Sequence, residues 1–295
     1  MVSRLAECVA PTGCLTGGGP LWSASEGCLW WTDAARAKLH RYNPATGNAR
    51  RWDLPLHASG LAVWRGRLLM AGDREVGVYD PATEEYDKLH DIPGAEEGDR
   101  ASDSGVAPDG AFWFGLRDEA GRQPRGNYYR LSPKGALERL RFDPVVTANT
   151  LAWSPDGRVF YTADSAEQEI LAFDHDPDTG VLTDRRVFAA TDETGGYPFG
   201  SAMDAAGCLW NAQWDAGCVV RYAPDGAIDR IVELPVSRPT GCAFGGPDLA
   251  TLFITTARAG LAQSELFDRQ PLAGGLFALQ VSTPGLETPD YAGAG

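Results

Sequence analysis

The sequence predicts an all-β fold, a single six-bladed β-propeller with four-stranded antiparallel blades, and three observations support this prediction. The chain of 295 residues contains 35 glycines and 20 prolines and few runs with helical periodicity, which is typical of short strands joined by turns. One strand-turn-strand pattern recurs six times along the chain. The copies lie 39 to 50 residues apart, which is the period of one propeller blade.

The six copies share a short apolar strand, a polar turn and a second strand rich in bulky apolar residues. They read GPLWSASEGCLWWTD, GLAVWRGRLLMAGD, SGVAPDGAFWFGLRD, TLAWSPDGRVFYTAD, GSAMDAAGCLWNAQW and GCAFGGPDLATLFITT. Most copies continue into a third strand whose turn, PDG or PATG, combines a proline that presets φ with a glycine that accepts a positive φ. We expect one domain, 1–295, with blades at about 16–55, 56–98, 99–143, 144–192, 193–236 and 237–285.

The N-terminal segment SRLAECVA has strand character but lies outside the six copies. An unpaired edge on the last blade would expose backbone N–H and C=O groups that can pair with other chains and cause aggregation. We therefore expect the N-terminal segment to pair with the last blade and to close the ring.

Composition and charge exclude several classes of partner. The formal net charge of −14 and the pI of about 4.7 predict repulsion from phosphate backbones and anionic lipid, so neither nucleic acid nor a membrane is expected as a partner. The N-terminal residues show no signal-peptide pattern, and the six cysteines are spread without a CxxC pair. We expect reduced thiols and a cytoplasmic location, and the oligomeric state stays open.

The aligned repeats predict which residues meet at one mouth of the central channel. In a propeller the innermost strand of each blade runs along the channel, and the residues just before it line one opening. Counting four residues back from the apolar anchor of each inner strand gives one position per blade. These positions are Gly18, Ser59, Asp103, Asn149, Phe199 and Thr240.

This set of side chains is poor in ligands for a metal ion. A hard divalent cation takes several converging oxygens, usually including two or more carboxylates. The ring offers the carboxylate of Asp103, the amide of Asn149 and two hydroxyls. The sequence therefore predicts no metal cofactor, although Asp33, Asp73 or Asp164 could contribute to one.

Several motifs resemble the regucalcin, senescence marker protein and gluconolactonase family of six-bladed propellers, over nearly the whole chain. They include GPLWSASEGCLWWTDAARAKLHRYNPATG, LAWSPDGRVFYTADS, AGCLWNAQWDAGCVVRYAPDG, LPVSRPTGCAFGGPDLATLFITTA and QPLAGGLFALQVSTPGL. The resemblance implies a small-molecule site at the channel mouth, with one divalent cation held by a Glu, an Asn and an Asp. It also implies hydrolysis of sugar lactones.

The chain departs from the family pattern at this implied site. The family motif GEGPxW reads GGGPLW here, so that Gly18 occupies the position of the glutamate, and a PDG motif reads PFG, so that Phe199 occupies the position of the aspartate. Asn149 is retained. The substrate-contacting RxND motif reads RASD, with Arg100 and Asp103 retained and a serine in place of the amide. The resemblance thus implies the loss of two of three metal ligands.

The candidate site residues divide into catalytic and substrate-binding groups, and several of them could instead have a purely structural role. Asp103, Arg100 and His57 are the candidate catalytic groups, although Arg100 and Asp103 could also form an ordinary loop ion pair. Asn149 is a candidate substrate ligand or a turn residue, and Phe199 is an aromatic wall of the pocket or a plug that closes the channel. The candidate substrate-binding residues are Asn149, Ser102, Phe199, Tyr197, Gly18, Ser59 and Thr240.

Three functions remain open on the sequence. The leading hypothesis is an enzyme that acts on a small cyclic molecule without the family's metal, by lactone or ester hydrolysis or by acid/base cyclisation, elimination or isomerisation. The first alternative is a conventional lactonase with a rebuilt site for one divalent cation, Ca²⁺ or Zn²⁺. The second alternative is a propeller that binds a small molecule without catalysis.

Overall fold

A computed structural model, which describes residues 5–294, confirms the six-bladed propeller. Each blade is one four-stranded antiparallel sheet. The first three blades contain β2 (Gly17–Ser23), β3 (Cys28–Asp33), β4 (Lys38–Asn43) and β5 (Asn48–Asp53); β6 (Ala58–Trp64), β7 (Arg67–Gly72), β8 (Glu75–Asp80) and β9 (Glu85–Asp91); and β10 (Asp99–Val106), β11 (Phe112–Asp118), β12 (Tyr128–Leu131) and β13 (Leu137–Arg139).

The remaining blades repeat this order. They contain β14 (Ala148–Trp153), β15 (Val159–Asp164), β16 (Glu169–His175) and β17 (Leu182–Ala190); β18 (Tyr197–Met203), β19 (Leu209–Trp214), β20 (Cys218–Tyr222) and β21 (Ile228–Glu233); and β22 (Pro239–Gly245), β23 (Thr251–Thr256), β24 (Leu276–Gln280) and β1 (Glu7–Ala10). A six-residue helix, α1 (Gln263–Asp268), lies between β23 and β24. Within residues 5–294, no helix is long and apolar enough to cross a membrane.

The N-terminal strand closes the ring, as predicted. β1 is the outer strand of the sixth blade, where Glu7 pairs with Ala278 and Cys8 with Phe277. The first two residues of the segment SRLAECVA lie outside the described residues. Because β1 and β24 come from opposite ends of the chain, their hydrogen bonds hold the first and last parts of the chain together.

Large side chains from the second strand of each blade fill the space between neighbouring sheets. Trp31, Trp113, Trp210 and Phe253 are almost fully buried. His40 belongs to this core, since it stacks on Trp31 with ring centroids 5.0 Å apart, and burial lowers its pKa to about 4. The repeated aromatic residues therefore form the blade core.

The C-terminal segment covers the channel end opposite the predicted mouth. Leu286 donates its backbone N–H to Met203 O, and Tyr291 donates to Val63 O. The Tyr291 hydroxyl donates to Ser132 O at 2.7 Å. The segment thereby contacts three blades, and Leu286 lines the space at that end of the channel.

Candidate functional site

All six inner strands are irregular at the predicted mouth. The pairing of each inner strand with its neighbour shifts register there, for example between Gly18 and Leu21, between Ala101 and Ser104 and between Asn149 and Ala152. The same shift occurs in β6, β18 and β22. Because a bulge re-aims the side chains beside it, the six bulges direct neighbouring residues toward the channel.

The six mouth positions meet around one cavity of about 230 Å³. The size of this cavity suits a small ring rather than a polymer. The six residues from the six blades that line it are Gly18, Ser59, Asp103, Asn149, Phe199 and Thr240. Arg100, Ser102 and His57 also line the cavity. The repeat alignment therefore predicted which residues lie together, while their roles stay predictions.

Tyr197 lies outside this set, which corrects its prediction as a cavity residue. It is the first residue of β18, it pairs with Trp214, and 40% of its surface is exposed. Phe199 lies two residues further along the strand, about 6 Å away at the ordinary rise of a strand. Tyr197 is not among the residues that line the cavity, although His57, two residues before the mouth position of its own blade, is one of them.

Asp103 combines a carboxylate with surroundings that disfavour its charge. It lines the channel and is surrounded by the inner strands of neighbouring blades. Burial raises its pKa to about 6, although the backbone N–H of Ser104 donates to it at 2.9 Å and the N–H groups of Leu151 and Thr150 also lower the pKa. A carboxyl group with this pKa can accept and release a proton near neutral pH.

Hydrogen bonds fix the orientation of the Asn149 amide. Ser165 uses its single hydroxyl hydrogen to donate to Pro198 O, so that it can only accept from Asn149. The amide therefore donates through Nδ2 to Ser165 Oγ at 2.8 Å. Since Asn149 lines the cavity, Oδ1 remains as an acceptor for a water or a substrate hydroxyl.

Arg100 forms ion pairs, but its partners are not the predicted one. Its guanidinium lies 2.7 Å from a Glu119 carboxylate oxygen and 3.4 Å from one of Asp73. No Arg100–Asp103 ion pair occurs within residues 5–294, which corrects that alternative. The two residues line the same cavity as separate groups, since residues three apart along a strand lie about 10 Å from each other.

Phe199 forms a wall of the cavity and leaves it open. Its ring stacks on Trp214 with centroids 5.2 Å apart and an interplanar angle of 18°. Thr150 holds the Phe199 backbone by donating its hydroxyl to Phe199 O. Thr150 has a φ of 57°, which is strained for a β-branched residue, so these contacts between blades compensate a local cost.

The remaining polar candidates are partly occupied by the protein. Ser102 donates its hydroxyl to Ala148 O, and Thr240 donates to Thr255 Oγ1 at 3.0 Å. His57 is exposed, with Nδ1 2.7 Å from Ala34 O. Each group still lines the cavity, but its orientation is set by the blades.

The residues present do not fit the divalent cation that the family resemblance implies. Two of the three acids that could have contributed are engaged elsewhere: Asp33 accepts the backbone N–H groups of Leu15 and Thr16, and Asp164 accepts those of Val146 and Thr147. Among the residues that the structure describes, no cluster of three His, Cys, Asp or Glu side chains could hold a metal. The prediction that the protein works without a metal still awaits a measurement.

Sequence reasoning missed two charged residues of the cavity, Arg117 and Glu119. Counted from the equivalent turn residues of the six copies, Arg117 lies at the end of the second strand, where the other copies have Ala34, Asp73, Asp164, Trp214 and Ala257. An arginine at a position where no other copy has a basic residue was the available signal.

The fold and the cavity together define a class of protein: a closed six-bladed propeller in which all blades contribute side chains to one mouth of the channel. A family model described as the SMP-30/Gluconolactonase/LRE-like region matches residues 16–258. The chain therefore belongs to this family, which confirms the resemblance found in the motifs.

Full-length relatives and a solved structure agree with this assignment. The chain is 34% identical to the 6-deoxy-6-sulfogluconolactonase of Pseudomonas putida, over 99% of this chain and all of that protein. It is also 34% identical to the L-arabinolactonase of Azospirillum brasilense, over 98% and 96% of the two chains. A calcium-binding protein, regucalcin, from Agrobacterium tumefaciens superposes with a TM-score of 0.92 at 30% identity, over 98% and 97% of the chains.

Proposed function

We propose that this protein is a lactonase that hydrolyses a small cyclic ester at the channel mouth, with Asp103 as the acid/base group and without the divalent cation of the family. The observation that carries the proposal is the carboxyl group of Asp103, which lines the cavity and has its pKa raised by burial to about 6. The lactonase names of the Pseudomonas and Azospirillum relatives support a lactone as the substrate.

In the proposed reaction Asp103 first takes a proton from water and later gives a proton to the ring oxygen. Ionised Asp103 takes a proton from a water molecule, whose oxygen forms a bond to the lactone carbonyl carbon. When the bond between that carbon and the ring oxygen breaks, protonated Asp103 returns the proton to the ring oxygen. The products are the open hydroxy acid and ionised Asp103, so that the group is ready for another cycle.

Other cavity residues bind and orient the substrate in this proposal. Asn149 Oδ1 accepts a hydrogen bond from the attacking water or from a ring hydroxyl, since Nδ2 is committed to Ser165. The guanidinium of Arg100 donates to a polar oxygen of the substrate. Phe199 offers an apolar face to the ring, because its stacking on Trp214 fixes its position.

The sequence-based expectations about location and partners belong to this proposal. A small molecule is the only partner that the proposed reaction requires. The cytoplasmic location stays a prediction from the sequence.

The pH dependence of turnover tests the role of Asp103. Because only the ionised carboxylate can take the proton from water, kcat/KM should be half-maximal near pH 6, level off at higher pH and fall about tenfold per pH unit well below pH 6. Initial rates on a panel of aldonolactones, corrected for uncatalysed hydrolysis, would give the profile. A profile without an inflection near pH 6 contradicts the assigned role, and substrate binding without any turnover across the panel supports the non-catalytic alternative.

A further inference from the structure

Two arginines lie directly opposite each other at the cavity. Arg100 of β10 and Arg117 of β11 are paired residues of adjacent antiparallel strands, and both line the cavity. Like charges at directly opposed positions destabilise a sheet. An anion between or beside the two guanidinium groups would offset this cost.

The two arginines differ in what surrounds their charge. Arg100 is matched by two acids, since it forms ion pairs with Asp73 and Glu119. The side chain of Arg117 makes only two hydrogen bonds within residues 5–294, from Nη1 to the backbone carbonyls of Asp118 and Glu119, at 3.2 and 3.3 Å. No carboxylate within the described residues 5–294 forms an ion pair with Arg117.

The acids that could neutralise Arg117 are engaged with other groups. Asp118 accepts the backbone N–H groups of Arg122 and Gln123 and lies 3.6 Å from the Arg125 guanidinium. The side chain of Glu119 is held by Arg100. Burial and the neighbouring Arg100 charge lower the pKa of Arg117, and nearby acids only partly oppose them. A partly buried cation is therefore left with Nε and Nη2 available in a cavity.

We propose that Arg117, with Arg100 opposite it, binds an anionic group of the substrate, so that the preferred substrate is an acidic lactone. This inference rests on the proposed lactonase function. A planar guanidinium binds the oxygens of a carboxylate, sulfonate or phosphate with two parallel hydrogen bonds, so that any of these groups fits. The acid/base group Asp103 is a separate lining residue, so that different side chains would bind the anionic group and act at the reacting carbonyl.

A matched pair of lactones tests the inference. The γ-lactones of gluconic and glucaric acid differ only in a terminal hydroxymethyl or carboxylate group. The wild-type protein should show kcat/KM for the glucaric lactone at least about tenfold above that for the gluconic lactone, because a charged hydrogen-bonded pair forms with only one of them. Arg117→Met should bring the ratio close to one, and Arg117→Lys should retain part of the preference.

Arg158→Met is the matched control, because Arg158 is exposed and does not line the cavity. It should keep the wild-type ratio, while thermal melts confirm that the Arg117 variants are folded. An unchanged ratio in Arg117→Met, or a wild-type preference for the gluconic lactone, overturns the inference.

Calorimetry separates failure of this inference from failure of the proposed function. If neither lactone is hydrolysed, the lactonase proposal fails, and binding of the glucaric lactone then decides the role of Arg117. A dissociation constant weakened about tenfold or more in Arg117→Met supports an anion site. Equal affinity in the two proteins rejects it.

Discussion

Replacement of Asp103 by asparagine is expected to lower kcat/KM for lactone hydrolysis by about 100- to 10,000-fold, the range that a general acid/base contributes. An amide has nearly the same size and can still accept from the Ser104 N–H, but it cannot take a proton from water. Steady-state rates on the best lactone of the panel measure the loss. The inflection near pH 6 should disappear in the same variant.

One control variant and one threshold of activity make this result interpretable. Asp143→Asn alters an exposed aspartate outside the cavity and should retain wild-type kcat/KM. If Asp103→Asn retains more than about a third of the wild-type kcat/KM, another group carries the proton and the proposed mechanism is wrong.

The stability of the Asp103 variant shows whether lost activity reflects lost folding. The pKa of Asp103 is about 6 in the folded protein and about 3.9 in an unfolded chain. The folded protein therefore binds this proton more tightly, and the stability that it contributes is lost as the pH rises from about 4 to about 6. We expect Asp103→Asn to raise the free energy of unfolding at pH 8 by roughly 1–3 kcal/mol and to change it less at pH 4.

The double variant Gly18→Glu/Phe199→Asp is expected to gain a divalent-cation site. A Cβ added at Gly18 meets no atom within 4 Å, so that a side chain there has room to reach the cavity. The two new carboxylates would join Asn149 Oδ1, which accepts no hydrogen bond from the residues that the structure describes. That oxygen set suits Ca²⁺, with an expected Kd in or below about the millimolar range.

Calorimetric titration with Ca²⁺ and Zn²⁺ measures the gain, with each single variant as a control. The single variants should bind more weakly, because each supplies one carboxylate fewer. Phe199→Asp also loses the stacking on Trp214, so its thermal melt must show a folded protein before binding is interpreted. A folded double variant without cation binding would show that the two positions do not face a common point.

The repeats made the fold and the mouth predictable from one sequence. Because Gly27, Gly66 and the equivalent residues mark the same turn in successive copies, the period alone gives the number of blades. Ring closure then places equivalent residues around one axis, which is how six distant positions were assigned to one cavity. The pairing of β1 with β24 followed from the need to cover an edge.

The errors and omissions concern side-chain direction, which the repeat period does not determine. Arg100 lies before the bulge between Ala101 and Ser104 and Asp103 lies within it, and the two form no ion pair although only two residues lie between them in the chain. Tyr197 is exposed outside the cavity, whereas His57, at the equivalent position of another blade, lines it. Arg117 escaped notice because the mouth positions were counted on the inner strands alone, and the register with Arg100 then shows two opposed charges.

Metal content and turnover, measured on one preparation before and after chelation and dialysis, decide whether this family member works without the ion. We expect less than stoichiometric Ca²⁺, Zn²⁺ and other divalent metals by elemental analysis, together with the same lactonase kcat/KM before and after chelation. A stoichiometric divalent ion in the untreated protein, with activity that is lost on chelation and restored by adding that ion, would contradict the proposed role of Asp103 as a metal-independent acid/base.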